Sequence, residues 1–334
     1  MPRFSVISVA YGLEDRANRT FLQNAVDSLA RQTDRDFEFI LVDNSETDGG
    51  LSDLDVSGVP RVRIVPWSGN HGFAKGNNLA AGMAEGDWLI LLNPDAVADR
   101  DWISEIGRGI ARYPVVSMFA SLQVSLEDSQ TLDGAGDAYF GPGFAWRGGF
   151  GRPVSEVPGE GTCFSPCGAG AVYRRDAFLA VGGFDEDFFC FGEDTDLAYR
   201  LRLQGQCCVF LPGARIQHAG GGVSGRVSDF AVRHGARNRI WGYVKTTPPL
   251  LLWLTLPLHM VFTIAILGRG LMTGRFNATL GGIREGLSGL GTMLAKRKGI
   301  QAERTASSAQ LAKAMAWNPL AMLGRKVDVR PVKR

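Results

Sequence analysis

The chain has few of the features that mark secreted or zinc-stabilised proteins. It has only five cysteines among 334 residues, and the Cys163/Cys167 spacing has no second pair to complete a zinc site. The N-terminal segment lacks a long apolar core followed by a small-residue cleavage site. We therefore expect no secretory signal, a cytosolic N-terminal region, and reduced, partly buried thiols.

A glycine-rich dinucleotide turn is also missing. The first apolar run is followed by Tyr11-Gly12-Leu13-Glu14-Asp15 and not by Gly-x-Gly-x-x-Gly, which disfavours a dinucleotide site of that kind. The sequence has neither an internal repeat nor a low-complexity tract. With 45% hydrophobic and 21% charged residues it is typical of a globular protein with one large or two modest domains.

Apolar runs that favour strands alternate with segments of helical spacing in the first part of the chain. This order predicts an α/β fold with a mainly parallel sheet flanked by helices. Residues 133–170 are rich in glycine, proline and aromatic residues and show little periodicity. They predict either an irregular region that faces the substrate or a simple surface excursion.

Polar residues follow several of these strands. Asn93-Pro94-Asp95 follows the apolar run 88–92 and places a carboxylate at the carboxyl end of a predicted strand, where active sites of α/β enzymes lie. An ordinary turn can have the same composition. An anionic ligand beside Asp95 would need a metal. Asp43 ends an earlier strand and can bind a nucleobase or ribose, or only form a turn. Asn70 to Asn78 combines small residues, amides and Lys75 at a helix start, which allows close approach of a phosphate.

A cluster of acids opens a later predicted helix. Glu193, Asp194 and Asp196 are three carboxylates within four positions. They can serve only as partners of the helix dipole, but a positioned carboxylate can also remove a proton from an attacking hydroxyl.

The C-terminal region is apolar and then basic. Residues 249–268 carry no formal charge over 20 positions, enough to cross a bilayer, but Pro257 and His259 interrupt the run. Residues 269–334 carry thirteen Lys or Arg and three acids, which leaves residues 1–268 at a formal −8 because the whole chain carries +2. Basic residues also precede the run. A helix in the membrane interface or a re-entrant hairpin with both ends cytosolic fits both flanks better than a full crossing, and a buried core helix is the alternative.

The order of these segments, with Gly182-Gly183-Phe184-Asp185 and Gln217-His218-Ala219-Gly220, resembles the family 2 inverting glycosyltransferases. The resemblance covers roughly residues 4–240. It is greatest to the rhamnosyltransferase-like branch, which adds sugars to cell-envelope polysaccharide precursors. It implies a GT-A fold, a nucleotide-diphosphate sugar donor, and Mg²⁺ or Mn²⁺ bound by an Asp-x-Asp-type motif, here Asn93-Pro94-Asp95.

The resemblance also implies roles for individual residues. Asp194 matches the catalytic base, and Asp95 and His218 match metal ligands. Asn93 is an amide where many relatives have a carboxylate, so it is expected to contact the donor and not the metal. The other expected donor contacts are Ala10, Tyr11, Asp43, Asn70, Gly72, Lys75 and Asn77, and the expected acceptor contacts are Gly183, Phe184, Asp185, Glu193 and Asp196, with Trp146 and Arg152 as further contacts to either substrate.

These expectations define a function and a domain division. Residues 1–240 form a catalytic domain, with a nucleotide-sugar half at 1–95 and an acceptor half at 96–240, and residues 241–334 associate with a membrane. The expected reaction moves L-rhamnose from dTDP-L-rhamnose to a lipid-linked saccharide on the cytoplasmic side of the cell membrane, to which the enzyme attaches peripherally or through a re-entrant segment. No nucleic acid is expected as a partner, and a homo-oligomer is possible.

Several alternatives stay open. Within the same class the donor could be a UDP-hexose or galactofuranose nucleotide, and the acceptor a polyprenyl phosphate. Two alternatives belong to other functional classes: a sugar nucleotidyltransferase and a non-catalytic sugar-binding membrane adaptor. The nucleotidyltransferase would need a glycine-rich, basic triphosphate loop after the first strand, which this sequence lacks.

Overall fold

The computed structural model describes residues 1–46, 51–67, 69–220 and 228–332. Its strands are β1 (Phe4–Ala10), β2 (Phe37–Asp43), β3 (Val62–Pro66), β4 (Trp88–Leu91), β5 (Ala96–Ala98), β6 (Met118–Ser125), β7 (Leu132–Ala135), β8 (Asp137–Phe140), β9 (Phe144–Arg147), β10 (Gly161–Cys163), β11 (Ala171–Arg174) and β12 (Cys208–His218). Its helices are α1 (Arg16–Ala30), α2 (Phe73–Met83), α3 (Trp102–Arg112), α4 (Arg175–Ala180), α5 (Glu193–Leu203), α6 (Asp229–Thr246), α7 (Pro249–Met272), α8 (Phe276–Ser288), α9 (Leu290–Ala302), α10 (Ser308–Ala314) and α11 (Pro319–Leu323). Strands and helices alternate through the first part of the chain, as predicted.

One large sheet organises the protein, with the strand order β10-β12-β6-β11-β4-β1-β2-β3, β5 beside β12 and β7 beside β6. The neighbours β3, β2, β1 and β4 are parallel, but β11 lies antiparallel between β4 and β6. The predicted α/β fold with a mainly parallel sheet is therefore present, with β11 as an antiparallel strand inside the sheet. The reason lies just before β11: the carbonyl of Ala169 accepts a hydrogen bond from the amide of Asn93, so β11 starts where β4 ends and must run back along it.

The two faces of the sheet are both covered by helices. Along β1, Phe4 and Val6 belong to one hydrophobic cluster with α1 and α3, whereas Ile7 and Val9 belong to another with α2 and α5. Successive side chains of a strand point to opposite faces, so a strand buried on both sides is apolar throughout. This explains the continuous apolar runs in the sequence.

Residues 133–170 are more regular than predicted. They contain β7, β8, β9 and β10, and β8 pairs with β9 as a hairpin closed by residues 141–143. Gly143 has φ +94°, and its amide donates to the carbonyl of Phe140 at 2.8 Å, which closes the three-residue loop. Strands of three or four residues are too short to show the alternation from which longer strands are predicted. All five cysteines are free, as expected.

The C-terminal helices pack against the rest of the molecule. The predicted boundary at residue 240 falls inside α6, which contacts α5, α8 and α9. Helix α7 is long and apolar enough to cross a membrane by length and composition, and it continues through Pro257. Beyond α11 the chain returns to the sheet edge, where Thr162 and Arg330 exchange backbone hydrogen bonds of 2.6 and 2.9 Å. Residues 241–332 are thus not a detached tail.

Candidate active site

A cavity of about 1540 Å³ lies at the carboxyl ends of the parallel strands. Asp95, Asp194 and His218 all line it. The two acids that the sequence singled out therefore share one cavity, although 98 positions separate them. α/β proteins commonly bind ligands at this edge of the sheet.

Strand pairing brings Asp95 and His218 together. Asp95 lies between β4 and β5, and β5 pairs with β12 so that His218 lies opposite Ala96. The Asp95 Oδ1 and His218 Nε2 atoms are 3.2 Å apart, and both side chains are buried. The amide of Ala219 donates to the backbone carbonyl of Asp95 at 3.0 Å and fixes this corner.

Asp133 orients the imidazole from the other side. Its Oδ2 atom lies 2.7 Å from Nδ1 of His218 and 2.6 Å from Nη1 of Arg147. An irregularity in the pairing of β6 with β7 falls at this residue. Burial alone would lower the pKa of His218, but the hydrogen bonds to Asp133 and Asp95 outweigh it and raise that pKa. A carboxylate behind a histidine in this way is typical of a metal ligand, because it directs the other ring nitrogen outward.

The atoms around Asp95 fit a divalent cation. Asn93 Nδ2 lies 3.5 Å from His218 Nε2, and the buried Asn93 Oδ1 has no hydrogen-bond partner among the described residues. A carboxylate oxygen of Asp95 and an imidazole nitrogen of His218 therefore lie together on one side of the cavity, with Asn93 beside them. Oxygen ligands suit Mg²⁺ and Mn²⁺, and a metal would also satisfy the partnerless oxygen. Asp95 and His218 would hold the ion, with Asn93 beside them.

A second group of polar atoms fits such an ion less well. Ligand atoms of Asp137, Cys167 and Asp194 lie within 4.8 Å of one another. Burial raises the pKa of the Cys167 thiol to about 12, and burial together with the charge of Asp194 raises the pKa of Asp137 well above its usual range. A protonated thiol is a poor ligand for hard cations. We therefore assign these residues to the surroundings of Asp194.

Backbone amides hold the carboxylate of Asp194 in place. Its Oδ2 accepts a hydrogen bond from the amide of Gly168 at 2.9 Å, and its Oδ1 accepts one from the amide of Thr195 at 2.7 Å. The side chain is partly exposed to the cavity. The carboxylate is thus oriented at the first turn of α5 while an incoming group can still reach it.

The chain that leads into α5 is strained. Phe189 and Phe191 have φ values of 64° and 70°, an uncommon conformation for bulky residues. The Asn238 side chain, from α6, donates to the carbonyls of residues 188, 190 and 191 at 2.8 to 2.9 Å. Strain of this kind is concentrated at functional sites and persists only where the surrounding structure enforces it. Asn238 provides that support where the chain enters α5.

The acids next to Asp194 have different surroundings. Glu193 is buried, and burial together with the charge of Asp194 raises its pKa well above the usual range. Asp196 is paired with Arg200 at 2.9 Å and Lys245 at 2.8 Å. Two cations therefore compensate Asp196, whereas burial disfavours the charged form of Glu193.

Four of the expected donor contacts line the cavity, namely Tyr11, Asn70, Gly72 and Asn93. Gly72 has φ +86°, and a Cβ atom there would come within 2.6 Å of Phe189, so the position requires glycine. Asn44 also lines the cavity and accepts a hydrogen bond from the amide of His71 at 2.9 Å. These loops follow β1, β2 and β3 and form a polar wall.

The other expected donor contacts lie off the cavity wall. Ala10 is fully buried, and Asp43 accepts a hydrogen bond from the amide of Ser45 at 3.1 Å, as a turn former does. Lys75 is exposed, with its Nζ 5.6 Å from the ring centre of Trp67. Asn77 is buried, and its side chain donates to a backbone carbonyl within its own helix. Their roles in donor binding stay predictions.

The expected acceptor contacts divide in the same way. Glu193 and Asp196 line the cavity. Gly183 and Phe184 lie in the packed interior, where Phe184 is 1% exposed, and Asp185 forms ion pairs with Lys245 and Lys296. Their direct contact with an acceptor stays a prediction. Among the further contacts, Trp146 lines the cavity, whereas Arg152 pairs with Glu156 on the surface.

Several residues that line the cavity or support its side chains were not predicted from the sequence, namely Asp133, Asp137, Tyr139, Arg147, Asn238 and Arg239. Most belong to the segment interpreted as irregular. One usable signal was present: acids placed among the aromatic and small residues of positions 132–147 are unexpected in a buried segment, unless they serve a site.

Comparison with known proteins identifies the family. The family model described as glycosyl transferase family 2 matches residues 5–182, more than half of the chain, and the protein belongs to that family. It is 29% identical over 238 residues to the N-acetylglucosaminyl-diphospho-decaprenol L-rhamnosyltransferase of Mycobacterium tuberculosis, covering 64% of this chain and 77% of that protein. It is 26% identical to the rhamnosyltransferase WbbL of Escherichia coli K12, covering 45% of this chain and 61% of that protein. It is 32% identical to the O-antigen biosynthesis protein RfbC of Myxococcus xanthus over 64% of this chain but only 17% of that protein.

Solved structures show the same fold. The mannosyltransferase PcManGT from Pyrobaculum calidifontis, in complex with GDP-Man and Mn²⁺, superposes with a TM-score of 0.54 at 19% identity, covering 96% of this chain and 87% of that chain. Residues 1–349 of S. aureus TarS give a TM-score of 0.54 at 14% identity, covering 95% and 93%. The predicted family 2 membership and GT-A-like fold are confirmed.

Proposed function

We propose that this glycosyltransferase moves L-rhamnose from dTDP-L-rhamnose to a lipid-linked saccharide in cell-envelope polysaccharide synthesis, with inversion of the anomeric carbon. Two of the relatives are named as rhamnosyltransferases, and the name of one specifies a diphospho-decaprenol acceptor. The observation that carries the proposal is the cavity shared by Asp95, His218 and Asp194.

The donor diphosphate is expected to bind beside Asp95. Asp95 and His218 present a carboxylate oxygen and an imidazole nitrogen there, with Asn93 beside them, while Asp133 holds the imidazole in orientation. A divalent cation bound by these residues would supply the positive charge that the departing diphosphate needs. Tyr11 and Asn70 are expected to contact the nucleotide from the opposite wall.

Asp194 is expected to act as the general base. Its carboxylate accepts the proton of the acceptor hydroxyl while the hydroxyl oxygen forms a bond to the anomeric carbon and the nucleoside diphosphate leaves from the opposite face. One displacement of this kind inverts the configuration without a covalent sugar-enzyme intermediate. The amides of Gly168 and Thr195 fix the carboxylate for this step, and burial raises the pKa values of the neighbouring Asp137 and Glu193, which disfavours further negative charge there.

Replacing Asp194 with Asn tests the assignment. The amide is nearly isosteric but cannot accept the proton, so we expect transfer to fall by about 10²- to 10⁴-fold, while dTDP still binds in calorimetry. Asp176→Asn is the matched control, because that carboxylate is 75% exposed on α4. Unchanged transfer by Asp194→Asn would exclude the assigned role, and dTDP binding without turnover by the unaltered enzyme, over a panel of nucleotide sugars, would favour the adaptor alternative.

Membrane attachment through α7 is part of the proposal. One face of α7 packs on the protein through Leu251 and His259, whereas Trp253, Leu254 and Ile264 are 71%, 68% and 67% exposed. A helix with one face on the protein and an apolar outer face suits a position in the membrane interface. We therefore place the enzyme peripherally on the cytoplasmic side.

Vesicle flotation tests this attachment. Substituting Trp253, Leu254 and Ile264 together with Gln removes three apolar contacts, so we expect at least about tenfold weaker partitioning to phosphatidylglycerol-containing vesicles. The control is Val115→Gln, an apolar side chain that is 83% exposed before β6. Equal flotation of the triple variant and the unaltered protein would refute attachment through this face.

A further inference from the structure

The part of the cavity wall that comes from α6, α7 and the C-terminal segment is both basic and apolar. It contains Arg239, Arg269 and Arg325, together with Phe262, Ile266 and Met322. None of these residues takes part in the metal site or in the proton transfer at Asp194. The proposed reaction thus leaves this part of the cavity without a role.

Arg239 is a partly satisfied cation inside the cavity. Its Nη1 donates to Thr263 at 3.1 Å, and its guanidinium lies 4.6 Å from the ring centre of Phe144. Its Nη2 is buried and has no hydrogen-bond partner in the described part of the chain. Burial lowers its pKa to about 10, so the group stays charged at neutral pH. A buried donor without a partner is costly, and an anion in the cavity would satisfy it.

Arg269 and Arg325 add two exposed charges to the same wall. Burial, and then the nearby charges of Arg269 and Arg147, lower the pKa of Arg325. Within residues 1–46, 51–67, 69–220 and 228–332, no carboxylate forms an ion pair with Arg239, Arg269 or Arg325. Arg269 and Arg325 lie near enough to affect each other, and uncompensated like charges of this kind attract a multiply charged anion.

The apolar neighbours restrict the kind of anion. Phe262 and Ile266 face the cavity from α7, and Met322 faces it from α11. On the same helix as the first two, Val261 and Ile264 are 60% and 67% exposed on the outer surface. A ligand with a charged group at the arginines and a hydrocarbon chain along α7 would contact both kinds of surface. A free nucleotide or a bare phosphate would leave the apolar part unused.

We infer that Arg239, Arg269 and Arg325 bind the diphosphate of a polyprenyl-diphosphate-linked acceptor, and that Phe262, Ile266 and Met322 contact its first isoprenyl units. The inference rests on the proposed function and names the residues that recognise its acceptor. Arginine suits this role because its planar guanidinium binds phosphate oxygens in pairs. The saccharide would then extend from the diphosphate into the cavity toward Asp194.

Direct binding of farnesyl diphosphate tests the inference without sugar transfer. The probe is titrated calorimetrically into the full-length protein with saturating dTDP and Mn²⁺, so that the donor site is occupied. We expect Arg269→Gln/Arg325→Gln to bind it at least about tenfold more weakly, because two charge-assisted contacts are lost. The matched control is Arg284→Gln/Lys298→Gln, which removes two exposed charges of α8 and α9 away from the cavity and should bind as the unaltered protein does.

Further probes separate the possible outcomes. We expect inorganic pyrophosphate and farnesol each to bind more weakly than farnesyl diphosphate, because each engages only one half of the subsite. Three results would overturn the inference. The control pair could weaken binding of farnesyl diphosphate as much as Arg269→Gln/Arg325→Gln does, pyrophosphate could bind as tightly as farnesyl diphosphate, or farnesyl diphosphate could fail to bind in the presence of dTDP. So would a loss of binding to phosphatidylglycerol vesicles in the Arg269→Gln/Arg325→Gln variant with unchanged farnesyl diphosphate binding, since the arginines would then recognise lipid headgroups. The proposed function is judged separately, by Asp194→Asn and by donor turnover with a lipid-free saccharide acceptor.

Discussion

Two clusters of charged and polar side chains, one at the cavity and one that joins α5 to α6 and α9, are built differently. The cavity cluster consists of Asn93, Asp95, Asp133, Arg147 and His218, and the clamp cluster consists of Asp185, Asp196, Arg200, Lys245 and Lys296. In the cavity cluster the Asn93 amide oxygen has no hydrogen-bond partner among the described residues, and four of the five residues line the cavity. In the clamp cluster each carboxylate meets two cationic side chains. The contrast indicates that charges kept for ligand binding are incompletely satisfied, whereas those that hold the fold are compensated.

The clamp cluster connects α5, which carries Asp194, to the C-terminal helices. Lys245 on α6 pairs with both Asp185 and Asp196, and Lys296 on α9 pairs with Asp185 at 2.5 Å. Although burial alone would raise it, the two lysines lower the pKa of Asp185 to about 2. Ion pairs therefore link the C-terminal helices α6 and α9 to α5 and to the segment before it.

The largest effect is expected from Lys245→Met. This change leaves Asp185 and Asp196 buried with one cation fewer each, and breaking a buried pair from one side typically costs about 3 to 5 kcal/mol in the free energy of unfolding. Chemical denaturation measures the loss. Lys298→Met, an exposed lysine of α9, is the control and should change stability little.

Acid titration provides an independent measurement for the same variant. Because the pKa of Asp185 is lower in the folded protein than its usual value of 3.8, its contribution to stability is present above about pH 4 and is lost as the pH falls toward 2. In Lys245→Met only Lys296 opposes the effect of burial on Asp185, so the pKa of Asp185 should rise. Acid unfolding should therefore begin at a higher pH. An unchanged acid midpoint and unchanged stability together would contradict the role of the clamp cluster.

A smaller effect, measured on metal binding, is expected from Asp133→Asn. The amide keeps the size of the side chain but weakens the orientation of His218, and loss of such a supporting carboxylate typically costs about 10- to 100-fold in metal affinity or activity. Titration with Mn²⁺, followed by the electron paramagnetic resonance signal of the free ion, measures the affinity without sugar transfer.

The control for this change is Glu127→Gln, an exposed acid in the same region. A purely structural role of Asp133 would lower the unfolding midpoint and leave the Mn²⁺ affinity as it is. That outcome would remove the distinction between the two clusters.

The sequence revealed the site only where function depends on local order. Asp95 follows a long apolar strand and Asp194 opens a helix with other acids, so both could be found from neighbouring residues. Asp133 and Arg239 could not be found in this way, because their partners are distant in sequence. Asp133 contacts His218, 85 positions away, and Arg239 on α6 packs against Phe144 of β9. Phe184 and Asp185 precede Asp194 in the segment that resembles the family, but the Phe184 side chain packs in the interior and Asp185 forms ion pairs.

The sequence by itself determined the alternation of strands and helices, the acids at their ends and the apolar, basic character of the C-terminal region, because these depend on residues close together in the chain. Tertiary structure decided which acids face the cavity, which are compensated by lysine, and how the C-terminal helices complete the cavity wall. Those outcomes depend on strand register and helix packing, which bring distant residues within a few ångströms of one another. A one-residue change of register would turn the same side chains to the other face of the sheet.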